Sequence, residues 1–215
     1  DGTQGGTRVI DRLVEGSGSV LEAAISGDRA FLFVWQDNGD LALWVSDATS
    51  SGTRPLKTIA SGVFTFSGYE HIALEGGLVF ETETNSVGRE LWISDGTSDG
   101  TRLLKDINAG PEDASIRNFR FVGGKLYFVA DDGSGDRLWS SDGTEDGTKP
   151  AVDNLGNELE MDRFTVLGDR ILFTTGTYPY RLWAYETSGG HVTELPGDRS
   201  DVIFLDFGFG DSAGG

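Results

Sequence analysis

A seven-residue pattern, Asp-Gly-Thr-x-x-Gly-Thr, recurs at nearly constant spacing along the 215-residue chain. Its four copies begin at Asp1, Asp47, Asp95 and Asp142, so that successive copies lie 46, 48 and 47 residues apart. A Leu-Trp pair precedes each of the last three copies, and a degenerate fifth copy follows Trp183. Internal repeats with a period of about 40–50 residues are typical of β-propeller blades or of stacked helical pairs.

The residues within each repeat favour the propeller. Each repeat contains four short runs rich in β-branched and aromatic residues, separated by Gly, Asp and Asn. In the third repeat these runs span residues 116–122, 125–130, 137–141 and 148–153. No apolar periodicity of 3.6 residues is present. The sequence therefore predicts an all-β fold, a β-propeller of four-stranded antiparallel blades.

The repeat boundaries predict four full blades and part of a fifth within a single propeller domain, residues 1–215. The full blades are expected at residues 20–59, 62–107, 114–155 and 160–195. Residues 1–13 and 201–207 are expected to contribute a lone fourth strand and a lone first strand. Because these are not neighbours within a blade, they cannot pair directly. We therefore expect the chain to be a fragment or subunit of something larger, or an array that a partner strand completes.

Residues 90–101, with the sequence ELWISDGTSDGT, resemble the ELWxxDGT repeat family of bacterial secreted and cell-surface proteins. The resemblance covers nearly the whole chain, although Ala48 replaces the first glycine of one copy, and Ala42 or Arg137 stands where another copy has Glu90. It implies a propeller fold and a secreted, periplasmic or cell-surface location in a bacterium. It implies no particular activity.

The charge of the chain excludes several kinds of partner. With 35 Asp and Glu against 17 Lys and Arg, the net charge is −18, and most of the surface should repel nucleic acid and anionic membranes. No apolar run approaches the roughly 18 residues of a membrane span. The absence of cysteine excludes thiol nucleophiles, disulfides and cysteine-bound zinc.

The repeated residues have a structural interpretation. An Asp side chain can accept backbone amides two residues on, and Gly supplies a positive φ, so each copy of the pattern should close a turn between a third and a fourth strand. A basic residue follows each copy and should be an exposed strand position that pairs with the acidic excess. The alternatives are a ring of calcium ligands and a ring of cations that binds an anion.

Loop divergence indicates where a ligand would bind. The turns between first and second strands and between third and fourth strands recur at one end of the repeats, here called the turn end. The opposite end, here called the variable end, carries connections that differ in every repeat, and divergent loops on a constant scaffold often carry function. Its loops between second and third strands span residues 36–40, 82–89, 131–136 and 175–180, and the connections into each blade span residues 15–20, 60–68, 108–114 and 156–160.

Two kinds of residue at the variable end are candidates for binding. Acidic, glycine-containing loops could hold Ca²⁺, although their spacing does not match an EF-hand. Aromatic residues could stack on sugar rings. The candidate calcium ligands are Asp37, Asp40, Asp131, Asp132 and Asp136, and the candidate sugar-binding residues are Tyr178 and Tyr180.

A third set of candidates lies five positions before the glycine that ends each first strand. The set consists of Glu22, His71, Asn118 and Arg163. The residues that follow them, Ala23, Ile72, Phe119 and Phe164, should face the core by the period-two rule, which places the polar set near the mouth of a central channel. His71 is the best single catalytic candidate because its charge can change near neutral pH. No catalytic triad or metal-ligand spacing is readable around it.

These observations favour a non-enzymatic binding or scaffold module that mediates protein–protein or cell-surface interactions. The expected partner is a protein or a larger assembly, with a glycan as an alternative ligand and with no cofactor other than the Ca²⁺ considered above. Two other functions remain open. One is a carbohydrate-active enzyme, a lyase or glycosidase, in which carboxylates from separate blades face each other across a channel. The other is a sugar-binding lectin.

Overall fold

The computed structural model describes residues 18–61, 70–84, 86–161, 163–175 and 181–195. These residues form sixteen β-strands, numbered β1 to β16 in chain order, in four four-stranded antiparallel sheets. The all-β prediction and the four-stranded antiparallel sheets are confirmed. No helix in the described residues is long and apolar enough to cross a membrane. The lone strands expected at residues 1–13 and 201–207 lie outside the described residues.

Contacts between Cα atoms divide the chain into two compact units. The first unit, Asp1–Ile116, contains two sheets in which consecutive strands are neighbours. The first sheet consists of β1 (Ser19–Ser26), β2 (Arg29–Trp35), β3 (Asp40–Ser46) and β4 (Arg54–Ser61). The second consists of β5 (His71–Leu74), β6 (Gly77–Thr84), β7 (Gly88–Ser94) and β8 (Arg102–Lys105).

The second unit, Arg117–Gly215, contains the other two sheets. The third sheet consists of β9 (Arg117–Val122), β10 (Lys125–Asp131), β11 (Asp136–Ser141) and β12 (Lys149–Pro150), and the fourth of β13 (Phe164–Leu167), β14 (Arg170–Thr175), β15 (Arg181–Glu186) and β16 (Val192–Glu194). Strand β12 is shorter than the run predicted at 148–153. Val152 forms an isolated bridge to Glu158 instead, and Asp153 closes a turn by accepting the amide of Asn157 at 2.8 Å.

The middle strands carry the core. In β10 five consecutive residues, from Leu126 to Ala130, are buried, so both faces of the third sheet are covered. Within the first unit, Phe33 of the first sheet meets Phe80 of the second edge-to-face, with ring centroids 5.7 Å apart. Strands that are buried on both faces read as continuous apolar runs rather than as an alternation, and the sequence shows such runs.

The Asp-Gly-Thr turn is closed by five side-chain hydrogen bonds. Asp95 Oδ1 accepts the Thr97 amide at 2.8 Å and the Thr97 hydroxyl at 2.7 Å. Thr97 Oγ1 accepts the Gly100 amide at 2.9 Å, and Thr97 O accepts the Thr101 hydroxyl at 2.7 Å. The Thr101 and Ser94 hydroxyl oxygens lie 2.8 Å apart. The first repeat forms the same five bonds with Ser46, Asp47, Thr49, Gly52 and Thr53, and the third with Ser141, Asp142, Thr144, Gly147 and Thr148. The predicted turn role of these aspartates is confirmed.

The geometry of the turn favours glycine at the first of these positions and requires it at the second. The first adopts a left-handed conformation, with φ of +84° at Gly96 and +88° at Gly143, and Ala48 adopts it as well at +66°. The second leaves no space for a side chain, because a Cβ on Gly100 would overlap the bonded carboxylate of Asp95. A side chain at Gly100 would therefore displace the Asp95 carboxylate from its hydrogen bonds.

Basic residues of the first repeat bind the turn of the second. Arg29 donates to Asp95 O at 3.2 Å, and Arg54, which directly follows the first copy of the pattern, donates to Gly96 O at 3.1 Å. Lys57 donates to Thr101 O at 2.6 Å. The sequence predicts that Arg54 pairs with acidic side chains. The structure corrects this, because the Arg54 guanidinium binds a backbone carbonyl of the next repeat and so joins two sheets.

Candidate functional site at the variable end

The first strands of the two sheets in the first unit bring two predicted site residues together. Glu22 on β1 lies opposite Phe33, and His71 on β5 lies opposite Phe80. His71 Nδ1 is 3.5 Å from Glu22 Oε1, and both side chains are partly exposed. A carboxylate beside an imidazole fixes the orientation of the ring. The pair therefore forms an oriented polar site on the first strands of two sheets in the same unit.

The surroundings of this pair are part apolar and part polar. The ring of Phe33 lies 5.8 Å from the His71 ring at an angle of 49°, and Phe33 itself is fully buried. The second carboxylate oxygen of Glu22, Oε2, is buried and has no hydrogen-bond partner among the described residues. An unpaired buried acceptor costs about 1–3 kcal/mol. A bound group that brings a donor to Glu22 Oε2 would recover part of that free energy.

Strand register places Glu70, and not His71, at the position equivalent to Glu22. Glu22 pairs with Phe33, which lies four residues after the start of β2. The residue at the same distance from the start of β6 is Glu81, and its amide donates to Glu70 O at 2.9 Å. The sequence aligns Gly76 with the glycines that end the other first strands. In the structure, however, Gly76 is the second residue of its turn, which shifts the equivalence by one position.

The four residues that directly follow the polar candidates in the sequence were predicted to face the core, and the structure confirms this only in part. Phe119 and Phe164 are buried, and Ile72 is half-buried. Ala23 is exposed, so this prediction is wrong, and Ala24 is buried in its place. A register shift between Val20 and Glu22 in β1 changes which residues face the core.

In the second unit, Asn118 and Arg163 lie on or next to the first strands of the third and fourth sheets. Asn118 has a left-handed backbone with φ of +63°, and its side chain donates to Phe164 O at 2.7 Å. Arg163 directly precedes β13 and is exposed. Asn118 therefore ties the two sheets of this unit together, which is a structural use of a residue predicted to bind a ligand.

The carboxylates of the loop between β10 and β11 are engaged within the protein. Asp131 Oδ1 accepts two backbone amides, two and four residues later, each at 2.8 Å. Asp132 accepts the Arg137 guanidinium at 2.7 Å, and Asp136 forms a two-bond ion pair with Arg117 at 2.7 and 3.1 Å. These contacts shape and anchor the loop.

The loop between β2 and β3 is held in a similar way. Asp40 Oδ2 accepts the Asn38 amide group at 2.7 Å, the Asp40 amide donates to Asn38 Oδ1 at 3.1 Å, and Asp37 is exposed beside them. Within the described residues no group of three His, Asp or Glu side chains could hold a metal ion. The structure therefore does not assemble the predicted calcium site there. Tyr178 and Tyr180, predicted to bind sugars, lie outside the described residues.

Two buried glutamates at the variable end were not among the predicted site residues. Burial raises the pKa of Glu81 to about 7, against the opposing charge of Arg89, whose Nη1 lies 3.7 Å from Glu81 Oε1. Burial also raises the pKa of Glu90 to about 7, although Glu90 accepts the amides of Ile107 and Asn108. The one signal for Glu90 is its place at the start of the Glu-Leu-Trp sequence.

The two glutamates do not face each other as a catalytic pair would. Thr82, the neighbour of Glu81 on β6, pairs with Glu90 on β7. Since side chains alternate along a strand, Glu81 and Glu90 point to opposite faces of the second sheet. The position of Glu90 is occupied in the third repeat by Arg137, which pairs with Asp132 and Glu158. In both repeats the residue at this position anchors a segment of the variable end, although it is acidic in the second repeat and basic in the third.

Comparison with known proteins supports the fold alone. No family model and no curated protein matches the sequence. A prolyl endopeptidase structure matches with a TM-score of 0.51 at 16% identity, covering 83% of this chain and 27% of that chain. A puromycin hydrolase matches at 0.48 and 20% identity (85% and 29% covered), and TolB from Acinetobacter baumannii at 0.44 and 12% identity (85% and 45% covered). This chain spans less than half the length of each. The likeness to the prolyl endopeptidase shows a propeller-like fold.

Proposed function

We propose that the chain is a set of ELWxxDGT propeller blades from a secreted, periplasmic or cell-surface bacterial protein. It acts as a non-enzymatic binding or scaffold module that contacts a protein partner through its variable end. The observation that carries the proposal is the contrast between the two ends of each sheet. Three turns at the turn end repeat the same five hydrogen bonds, whereas the variable-end loops at residues 36–40 and 131–136 are held by two different sets of contacts.

The variable-end loops that lie within the described residues are held by contacts of their own, which suits a binding surface. Gly88 in the β6–β7 hairpin packs so closely on Glu112 that a Cβ would lie 2.5 Å from its carbonyl oxygen. The Arg89 amide donates to Asp113 Oδ1 at 2.8 Å. Loops that are fixed before binding lose little conformational entropy when a partner docks. The Glu22–His71 pair lies on β1 and β5 of the same unit and adds an oriented polar contact.

The net charge of −18 indicates the chemistry of the partner. An acidic surface attracts a basic one and speeds their encounter, in a manner that salt weakens. We therefore expect the partner to present Lys and Arg to the variable end. The carbohydrate-active enzyme and the lectin remain the rival proposals, and assays of polysaccharide cleavage and glycan binding separate them from a protein-binding module.

Position-specific crosslinking tests the proposal, because a chain without cysteine accepts single cysteines cleanly. Glu112→Cys and Ser134→Cys place a photocrosslinker at the variable end of each unit, and Asp99→Cys and Glu145→Cys place it at the turn end; all four positions are exposed. Each labelled variant is mixed with the envelope and secreted proteins of the source bacterium. We expect the two variable-end variants to capture one and the same basic protein, with less capture at high salt.

The turn-end variants serve as matched controls and should not capture that protein. Capture of equal strength from both ends would contradict the assignment of binding to the variable end. Cleavage of a polysaccharide that is lost in Glu22→Gln would establish the enzyme instead. Glycan binding without a protein partner would establish the lectin.

A further inference from the structure

The loop between β2 and β3 contains an asparagine followed by a glycine, Asn38 and Gly39, at the tip of a hairpin. The Gln36 amide donates to Asp40 O at 2.8 Å, and the Gly39 amide donates to Gln36 O at 3.0 Å. Gly39 has a left-handed backbone with φ of +82°, and Asn38 is exposed. The hairpin therefore presents the Asn38 side chain to water, next to a residue that has no side chain of its own.

An asparagine before a glycine can react with its own main chain. When the Gly39 amide loses its proton to base, its nitrogen attacks Cγ of Asn38. The new N–Cγ bond closes a succinimide ring, and the Cγ–Nδ2 bond breaks as the side-chain nitrogen takes a proton from water and leaves as ammonia. Water then opens the ring at either carbonyl, which gives aspartate or isoaspartate. Glycine favours the attack because no Cβ shields its nitrogen and its backbone rotates freely.

Hydrogen bonds of the folded hairpin oppose this reaction. Asn38 Nδ2 donates to Asp40 Oδ2 at 2.7 Å, and Asn38 Oδ1 accepts the Asp40 amide at 3.1 Å. These two bonds hold the side chain that must turn toward the Gly39 nitrogen. The amide proton that Gly39 must lose is itself donated to Gln36 O. Of these bonds, the one to Asp40 Oδ2 depends on the side chain of another residue, so Asp40 is the residue whose substitution should change the rate.

The structure and the chemistry together distinguish Asn38 from similar positions. Within the described residues, aspartate precedes glycine at five positions: Asp95, Asp99, Asp132, Asp142 and Asp146. A carboxylate, the form that aspartate takes at pH 7, loses an oxygen far less readily than an amide loses ammonia. In the repeated turns the carboxylate is also held twice, since Asp95 Oδ1 accepts both the amide and the hydroxyl of Thr97. The other exposed asparagines of the described residues, Asn154 and Asn157, precede leucine and glutamate, whose Cβ atoms hinder the attack.

We propose that Asn38 is a site of spontaneous modification, at which the loop of residues 36–40 converts to an aspartyl or isoaspartyl form while Asp40 restrains the conversion. Either product adds a negative charge between Asp37 and Asp40. The isoaspartyl form also routes the main chain through Cβ and Cγ of residue 38, which lengthens the hairpin tip by one carbon, and both forms lose the amide group that binds Asp40. The variable end therefore presents a different surface in an aged chain, a consequence that goes beyond the proposed function.

Mass spectrometry of the whole chain, incubated at pH 8 and 37 °C and digested at intervals, measures the reaction at each asparagine. The peptide that contains Asn38 should gain the mass that corresponds to replacement of the amide NH2 by OH, and a protein isoaspartyl methyltransferase should label it. The peptide that contains Asn154 and Asn157 is the internal control and should stay largely unmodified over the same interval. Conversion at Asn38 that is no faster than at these two residues would overturn the proposal.

Two variants and one control assign the restraint to Asp40. Asp40→Ala loses the bond from Asn38 Nδ2 to a charged acceptor, so Asn38 should convert about tenfold faster than in the wild type. Asp40→Asn keeps a neutral acceptor and should give an intermediate rate. Glu145→Ala, which removes an exposed carboxylate at the turn end, should convert at the wild-type rate. A wild-type rate in Asp40→Ala would refute the restraint. The assay requires no partner, so its outcome is independent of the proposed function.

Discussion

Replacing Ala48 with glycine should stabilise the first unit, because Ala48 is a non-glycine residue in a left-handed conformation. Its φ of +66° matches the +84° of Gly96 at the equivalent position, and its amide donates to Ser46 Oγ at 3.1 Å as that of Gly96 donates to Ser94 Oγ at 3.2 Å. The left-handed conformation costs a residue with a Cβ about 1–2 kcal/mol. The extra freedom of glycine in the unfolded chain returns about 0.4–1 kcal/mol of that. Ala48→Gly should therefore raise the free energy of unfolding by about 0.5–1 kcal/mol.

The reciprocal change, Gly96→Ala, is the matched test. It imposes the same backbone cost, and its Cβ would lie 2.8 Å from Arg29 Nη1, which donates to Asp95 O. We expect a loss of about 1.5–2.5 kcal/mol, the sum of the backbone cost and a weakened hydrogen bond. Urea unfolding followed by tryptophan fluorescence measures both variants. If Ala48→Gly were neutral and Gly96→Ala cost nothing, the left-handed geometry of the turn would be refuted.

Three further predictions concern the turn, the junction between repeats and the pH. Gly100→Ala should lower the free energy of unfolding by about 2 kcal/mol in urea titration, because its Cβ displaces the Asp95 carboxylate from its donors; an unchanged midpoint would contradict the overlap. Lys57→Met should cost about 1 kcal/mol by thermal melting, since it loses the bond to a backbone carbonyl at 2.6 Å and a charge placed 5.9 Å from the Trp92 ring. The raised pKa values of Glu81 and Glu90 contribute stability that is fully present below pH 4.5 and lost as the pH rises through about 7, so the urea midpoint should fall from pH 5.5 to pH 8.

The turn residues could be predicted from sequence because their chemistry is local. Asp95 and Thr97 are two positions apart, and the rule that Asp accepts such an amide needs no knowledge of the remaining fold. The repetition of the pattern also predicted the four sheets that the described residues form. Alignment of the repeats placed Glu22 and His71 in one set, and their side chains do lie 3.5 Å apart, although strand register makes Glu70 the residue equivalent to Glu22.

The register of the second repeat could not be predicted, because it contains two adjacent glycines and the sequence does not show how the turn is aligned with them. The structure places Gly76 in the turn with φ of +80°, and Gly77 starts β6 so close to Ser94 O that a Cβ would lie 2.6 Å from it. Both positions therefore need glycine, one for its backbone angle and one for space. The sequence shows the two glycines, but it does not show which one is needed for its backbone angle and which one for its small size.

Contacts between residues far apart in the sequence could not be predicted either. Glu90 binds amides 17 and 18 residues later, and Arg54 binds a carbonyl 42 residues later. Such contacts depend on how connections and sheets pack, and no local spacing rule reports that. The raised pKa of Glu81 has the same origin, since burial on β6 is a property of the packed sheet.

We propose that the repeated aspartates hold the turns and that binding takes place at the variable end. A crystal structure of the protein grown in calcium, with anomalous data, tests it most directly. We expect Asp47, Asp95 and Asp142 each to accept the amide and hydroxyl of the threonine two residues later, with no anomalous peak beside them. A calcium ion bound by these carboxylates, with the threonine amides released, would contradict it.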